Sequence, residues 1–187
     1  MRLHPLAIVV VLLFTPAAYS ADGEETLLFF RGENGKFGYI NLKNEVVIPP
    51  QFENTSGFHN GFAAVAVEGK YGFIVKSGKF VIPPRYDFVW RFDEGMAPFR
   101  SGRLWGYINT SGEVVIEPRY DAAERFSEGL AAVKKDGLYG FVDRSGKLVI
   151  PHKYDKVTPF SGGACQAHWR GKHIWLASDG REIRVLD

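Results

Sequence analysis

The chain has 187 residues with 23 basic and 21 acidic side chains, and its Lys and Arg are scattered among acids. That pattern lacks the basic stripe of a nucleic-acid binder and gives no reason to expect an anionic membrane as partner. Cys165 is the only cysteine, so no intramolecular disulfide can form and stability must come from packing.

The first residues follow the order of a secretory signal peptide: Arg2 and His4, an apolar stretch over residues 6–14, Pro16, then small residues at Ala18 and Ser20. Residues 1–20 are therefore expected to be removed, with cleavage after Ser20 and export to the periplasm or beyond. The apolar run is shorter than the roughly 20 residues that a spanning helix needs. No cysteine follows it to carry a lipid, and no other segment is apolar enough to cross a bilayer, so no membrane contact is expected after cleavage. Residues 21–187 remain, 167 in all and nearly neutral. They suffice for one domain with a real core and leave no room for a second.

Periodicity organises this remainder. Aromatic-glycine pairs stand at Phe37 and Gly38, Tyr71 and Gly72, Trp105 and Gly106, and Tyr139 and Gly140, each 34 residues after the last. A fifth position, His173 and Ile174, keeps the spacing and loses both residue types, as a terminal repeat does. A glycine turn follows at Gly78, Gly112, Gly146 and Gly180, with Asn44 in the first unit. Apolar triplets then lead to Pro49, Pro83 and Pro151, while the third unit has Glu117 there and Pro118 next. Tyrosine-aspartate pairs come next, at Tyr86 and Asp87, Tyr120 and Asp121, and Tyr154 and Asp155, with Phe52 and Glu53 in the first unit. Each unit closes on a phenylalanine and, three residues on, a glycine, from Phe58 and Gly61 to Phe160 and Gly163.

The local chemistry is β throughout: short runs rich in aromatic and β-branched residues, separated by Gly, Ser, Asn and Pro. Three-stranded meanders are expected near 27–48, 61–82, 95–116, 129–150 and 163–186, within units near 27–60, 61–94, 95–128, 129–162 and 163–187. The triplets ending at Ile48, Ile82, Ile116 and Ile150 are apolar at successive positions, which predicts strands covered on both faces. The prolines are expected to stop those strands. Glycine in the aromatic-glycine strand leaves a gap into which another backbone or a ring should pack. One unit cannot bury enough surface to offset its own ordering, so units must stack. The fold expected is all-β, as an open or partly closed β-repeat array, with a closed propeller-like toroid as the alternative.

These columns resemble the WG-repeat family, also called KWG repeats, although only Trp105 and Gly106 keep the tryptophan. The resemblance spans about residues 27–186. It implies an interaction or structural repeat and brings no catalytic residues to carry over.

Recurrence of Asp87, Asp121 and Asp155, and of Glu94 and Glu128, argues against catalysis, because an active site is needed once. Each Asp is expected to accept hydrogen bonds from turn backbone. His59, His152, His168 and His173 lack metal-site spacing, and nucleophile or phosphate-loop motifs are absent, so no enzyme, cofactor or metal is expected. Cys165 falls in the column of Ala63, Ala97 and Ala131 and reads as a small buried residue.

A repeat scaffold shows function where its columns break. Trp90 has Ser56, Glu124 and Thr158 as counterparts; Trp169 has Val67, Ser101 and Lys135. With their neighbours Arg91 and Arg170 they form the candidate binding residues, since exposed Trp and Arg most often anchor partners. The alternative is that both rings pad junctions between units. A protein or peptide partner is the leading expectation, with an inhibitor or immunity protein as a special case. A glycan or cell-wall ligand stacked on the rings is the alternative.

Overall fold

The computed structural model describes residues 26–186, with side chains through Arg184, so the proposed leader lies outside the described residues. Five antiparallel sheets follow one another along the chain, and none closes into a barrel. The first contains β1 (Leu27–Arg31), β2 (Phe37–Asn41) and β3 (Val46–Phe52). The second contains β4 (Asn54–Thr55), β5 (Phe62–Val67), β6 (Lys70–Val75) and β7 (Phe80–Tyr86). The third repeats this with β8 (Phe88–Val89), β9 (Met96–Ser101), β10 (Leu104–Asn109) and β11 (Val114–Tyr120). The fourth has β12 (Ala122–Ala123), β13 (Leu130–Lys135), β14 (Leu138–Asp143) and β15 (Leu148–Tyr154). The fifth has β16 (Lys156–Val157), β17 (Ala164–Trp169), β18 (Lys172–Ala177) and β19 (Glu182–Leu186). Four sheets are thus four-stranded rather than three-stranded, because each linker adds a two-residue strand to the edge of the sheet it leads into.

The prolines do not end their strands. In the second sheet Tyr71 pairs with Tyr86 and Phe73 with Ile82, so Gly72 alone faces the three residues between them. This bulge brings the Ile82 carbonyl oxygen to 2.3 Å from where a Cβ on Gly72 would stand. Pro83 and Pro84 suit a bulge because it leaves backbone out of the ladder, so their missing N–H costs nothing there. The same crowding recurs at Gly38, Gly106 and Gly140. The fifth sheet is the internal control: Ile174 replaces the glycine and pairs directly with Val185, without that bulge.

Strands β3, β7, β11 and β15 are edge strands, which corrects the expectation that both of their faces are covered. Ile48, Ile82, Ile116 and Ile150 are buried, but the neighbouring Val47, Val81 and Val115 stay 38–39% exposed. An exposed edge invites pairing with another chain, and the prolines on these strands blunt it.

Four apolar clusters fill the spaces between consecutive sheets, and each inner sheet contributes to two of them. Ala63, Val65 and Ile74 of the second sheet pack back on Tyr39, Ile48 and Phe52 of the first. From its other face, Ala64, Phe73 and Ile82 pack forward on Phe92, Ala97 and Ile108 of the third. The turn glycines also serve this stacking: Gly112 and Gly146 have positive φ, and a Cβ on either would lie 3.1 Å from the isoleucine of the preceding sheet. At the far end the forward-facing columns turn polar, with exposed Gln166 in the place of Ala132 and exposed Arg184 in the place of Ile150. A last face meeting water needs such a cap.

Carboxylates peg the linkers to the hairpins. Asp87 accepts from the Gly102 backbone N–H at 2.6 Å and from Lys70 at 2.5 Å. Glu53 accepts from Glu68 and Gly69, and Asp155 from Arg170. The acceptor role is as expected, but the turn is the next hairpin of the same sheet, 15 or 16 residues on. Glu94 and Glu128 reach across to the following unit instead, accepting from Gly129 and from Gly162 and Gly163.

Two outcomes follow from this packing. Gly106→Ala should cost about 3 kcal/mol in urea unfolding, whereas Gly57→Ala, with nothing within 4 Å of the added carbon, should be close to neutral. Cys165 is 1% exposed, and burial pushes its thiol from an ordinary 9.0 up to about 12. An aromatic disulfide reagent at pH 8 should therefore label it only as fast as the protein unfolds; rapid labelling of native protein would contradict its burial. The thiol favours the fold below about pH 9 and loses that contribution as pH rises toward 12, because the unfolded chain ionises first.

Candidate functional site

Alternation along the linker strands sets the site. In the third sheet Val89 points into the core, while its neighbours Phe88 and Trp90 point the other way, and the Trp90 ring is 47% exposed. The Trp90 backbone N–H is held by the Pro98 carbonyl at 2.9 Å, so the position of the indole is fixed by sheet pairing rather than by a loop. Phe88 stands edge-on to Trp90 at 5.2 Å and meets Tyr71 of the preceding sheet at the same distance. The three rings form one aromatic wall.

That wall borders a cavity of about 560 Å³ lined by residues of three successive linkers: Asn54 to Ser56, Phe88 to Arg91, and Glu124 and Arg125. Because positions 34 residues apart meet there, the sheets bend toward their linker side. Of the residues singled out in the sequence, the structure brings Trp90, Arg91 and Tyr71 to this cavity. Phe88, Glu124 and Arg125 join them. The signal for the last two was available, since they stand 34 residues after Trp90 and Arg91.

Arg91 and Arg125 are fixed by one acid. Arg91 Nε lies 3.1 Å and an Arg125 terminal nitrogen 3.2 Å from the same oxygen of Asp93, while His59 Nε2 lies 3.3 Å from the other. Burial pushes the Asp93 carboxyl up, but the two guanidinium groups outweigh it and hold it below its ordinary value. It is thus ionised at neutral pH, and both arginines are held by a charged partner.

Trp169 and Arg170 lie elsewhere. Trp169 is half-buried against the cluster between the fourth and fifth sheets. Lys153 and Arg170 sit over its ring at 4.7 and 4.8 Å. The Arg170 backbone is spent on Asp155. Phe37, Trp105 and Tyr139 serve packing, each partly buried against a core cluster. Among the described residues no group of His, Cys, Asp or Glu is arranged to hold a metal.

The described fold is similar to a eukaryotic initiation factor, with a TM-score of 0.62 and 12% identity over 88% of this chain and 52% of that one. It is similar also to Hsv2p of Kluyveromyces lactis, with a TM-score of 0.53 and 9% identity over 82% of this chain and 59% of the other. At such identity the likeness concerns the fold alone, which is propeller-like. The chain spans about half to three-fifths of the length of these structures. No curated protein matches it in sequence. The WG containing repeat matches residues 37–71, 71–104, 105–139 and 139–167, with boundaries at or beside the aromatic-glycine pairs. On that tandem match the chain belongs to the WG-repeat family.

Proposed function

We propose that this protein is an exported, non-catalytic binding module that holds a protein or peptide partner at the cavity formed by its first three linkers. The observation that carries the reading is Trp90: the scaffold needs no indole in that column, yet the ring stands half-exposed on the wall of a cavity of about 560 Å³ beside Arg91 and Arg125. Cavities of this size suit a short peptide segment, and Trp and Arg are the side chains that most often dominate binding energy. The leader-like residues 1–20 support export. The recurrent acids support a non-catalytic reading, since Glu53, Asp87, Asp155, Glu94 and Glu128 are all engaged by turn backbone.

A glycan is the second reading, favoured by the exposed indole beside the planar polar groups of Asn54 and Glu124. Retention on insoluble peptidoglycan separates it from the first.

Trp90→Ala should leave the thermal midpoint nearly unchanged and weaken capture of the native partner by about 30-fold, the loss of a binding hot spot of about 2 kcal/mol. Trp169→Ala should instead lower stability by about 2 kcal/mol, because its ring is packed, and leave capture intact. Undiminished capture by the Trp90→Ala protein, measured on immobilised mature chain, would remove the assignment of the cavity.

A further inference from the structure

We propose that the linker cavity recognises an apolar side chain lying next to a single carboxylate on a peptide, with the apolar group against Trp90 and Phe88 and the carboxylate held between Arg91 and Arg125. This rests on the peptide-binding reading above and adds the chemical class of the ligand.

The polar floor of the cavity is largely spent within the protein. The Asn54 amide donates to the Tyr71 hydroxyl at 3.0 Å, and its side-chain oxygen accepts from the Thr55 backbone. The Thr55 hydroxyl is paired with that of Tyr39. Ser56 donates to the Gly57 carbonyl and accepts from the Ala64 backbone N–H, both at 3.0 Å. What the walls offer is therefore chiefly ring surface, from Tyr71, Phe88 and Trp90. An apolar or aromatic group gains there by leaving water.

The rim is different. Arg91 commits its Nε to Asp93, which leaves both terminal nitrogens of a guanidinium whose side chain is 46% exposed. Arg125 commits one terminal nitrogen, and its side chain is 43% exposed. Because both contact the same Asp93 oxygen, their guanidinium groups are held close together and already oriented, which lowers the ordering cost of binding. Planar guanidinium groups suit a carboxylate, which can accept from two N–H groups at once. Glu124 lines the same cavity and limits the charge that can enter: one carboxylate is matched by the two arginines, and a run of acids is repelled.

The carboxylate can come from an Asp or Glu side chain or from a peptide C-terminus. Four labelled eight-residue Gly/Ser peptides tell these apart by fluorescence anisotropy: one with an internal Phe-Asp, one with Phe-Asn, one ending in Phe with a free carboxylate, and the same one amidated. Each is titrated with the mature wild type, with Trp90→Ala, and with Arg91→Gln and Arg125→Gln together, after checking that the thermal midpoint is unchanged. At least one acidic peptide should bind tenfold or more tighter than its neutral counterpart, and which pair shows the gap identifies the source. The double arginine replacement should abolish the gap, and Trp90→Ala should weaken all binding peptides. Equal binding of acidic and neutral peptides would overturn the carboxylate assignment while leaving the peptide-binding reading in place. No binding of any peptide, with wild type retained on insoluble peptidoglycan, would overturn both.

Discussion

A carbonyl oxygen occupies the space of a missing side chain, and most of the architecture depends on that. At Gly38, Gly72, Gly106 and Gly140 the facing isoleucine carbonyl stands 2.3–2.5 Å from the position a Cβ would take. No other residue permits the edge strand to bulge inward at that point. The bulge takes up the proline-containing stretch before the strand pairs again at its closing aromatic residue, Tyr86 opposite Tyr71 in the second sheet. It thereby fixes where the chain leaves one sheet and enters the next. The fifth sheet, with Ile174 in the glycine column, shows the other solution: straight pairing there.

Given that exit, the linker acid and the stacking face act together. Asp87 follows Tyr86 directly and is anchored on the next hairpin, so the two-residue strand after it is laid against the edge of the new sheet in a set register. Burial on both faces then makes each inner sheet dependent on its two neighbours, as the paired contributions of the second sheet to successive clusters illustrate. Local hydrogen bonds of this exposed kind contribute little individually. Their importance is geometric: they hold the linkers in the row from which the cavity is built.

The column periods were legible because every unit solves the same packing problem with the same residue types. The glycine gap correctly implied a close backbone, and the alanine column around Cys165 implied burial. Three features were not legible. Pro83 and Pro84 read as a strand end because a bulge has no sequence period of its own. Val47, Val81 and Val115 read as covered because an apolar triplet is the same whether its strand is central or at an edge. The linker strands escaped notice because two residues, such as Asn54 and Thr55, are too few to alternate. At the site, Trp90 stood out as a bulky residue in a small and polar column, while Glu124 and Arg125 are unremarkable surface residues until the bend of the array brings them beside it.

That difference locates where this scaffold leaves freedom for recognition. Residues facing the clusters are constrained twice, by their own sheet and by the neighbour, and they vary little in size from unit to unit: Ile48, Ile82, Ile116 and Ile150 are one residue type throughout. The outward positions of the linker strands carry no such double constraint, so Ser56, Trp90, Glu124 and Thr158 share a column without sharing any chemistry. Yet the same pegs and bulges hold their backbones as firmly as those of the core. A side chain placed there is free in identity and fixed in position. Those are the conditions for a preorganised contact, and three adjacent units pool them at one cavity, which a single unit could not form alone.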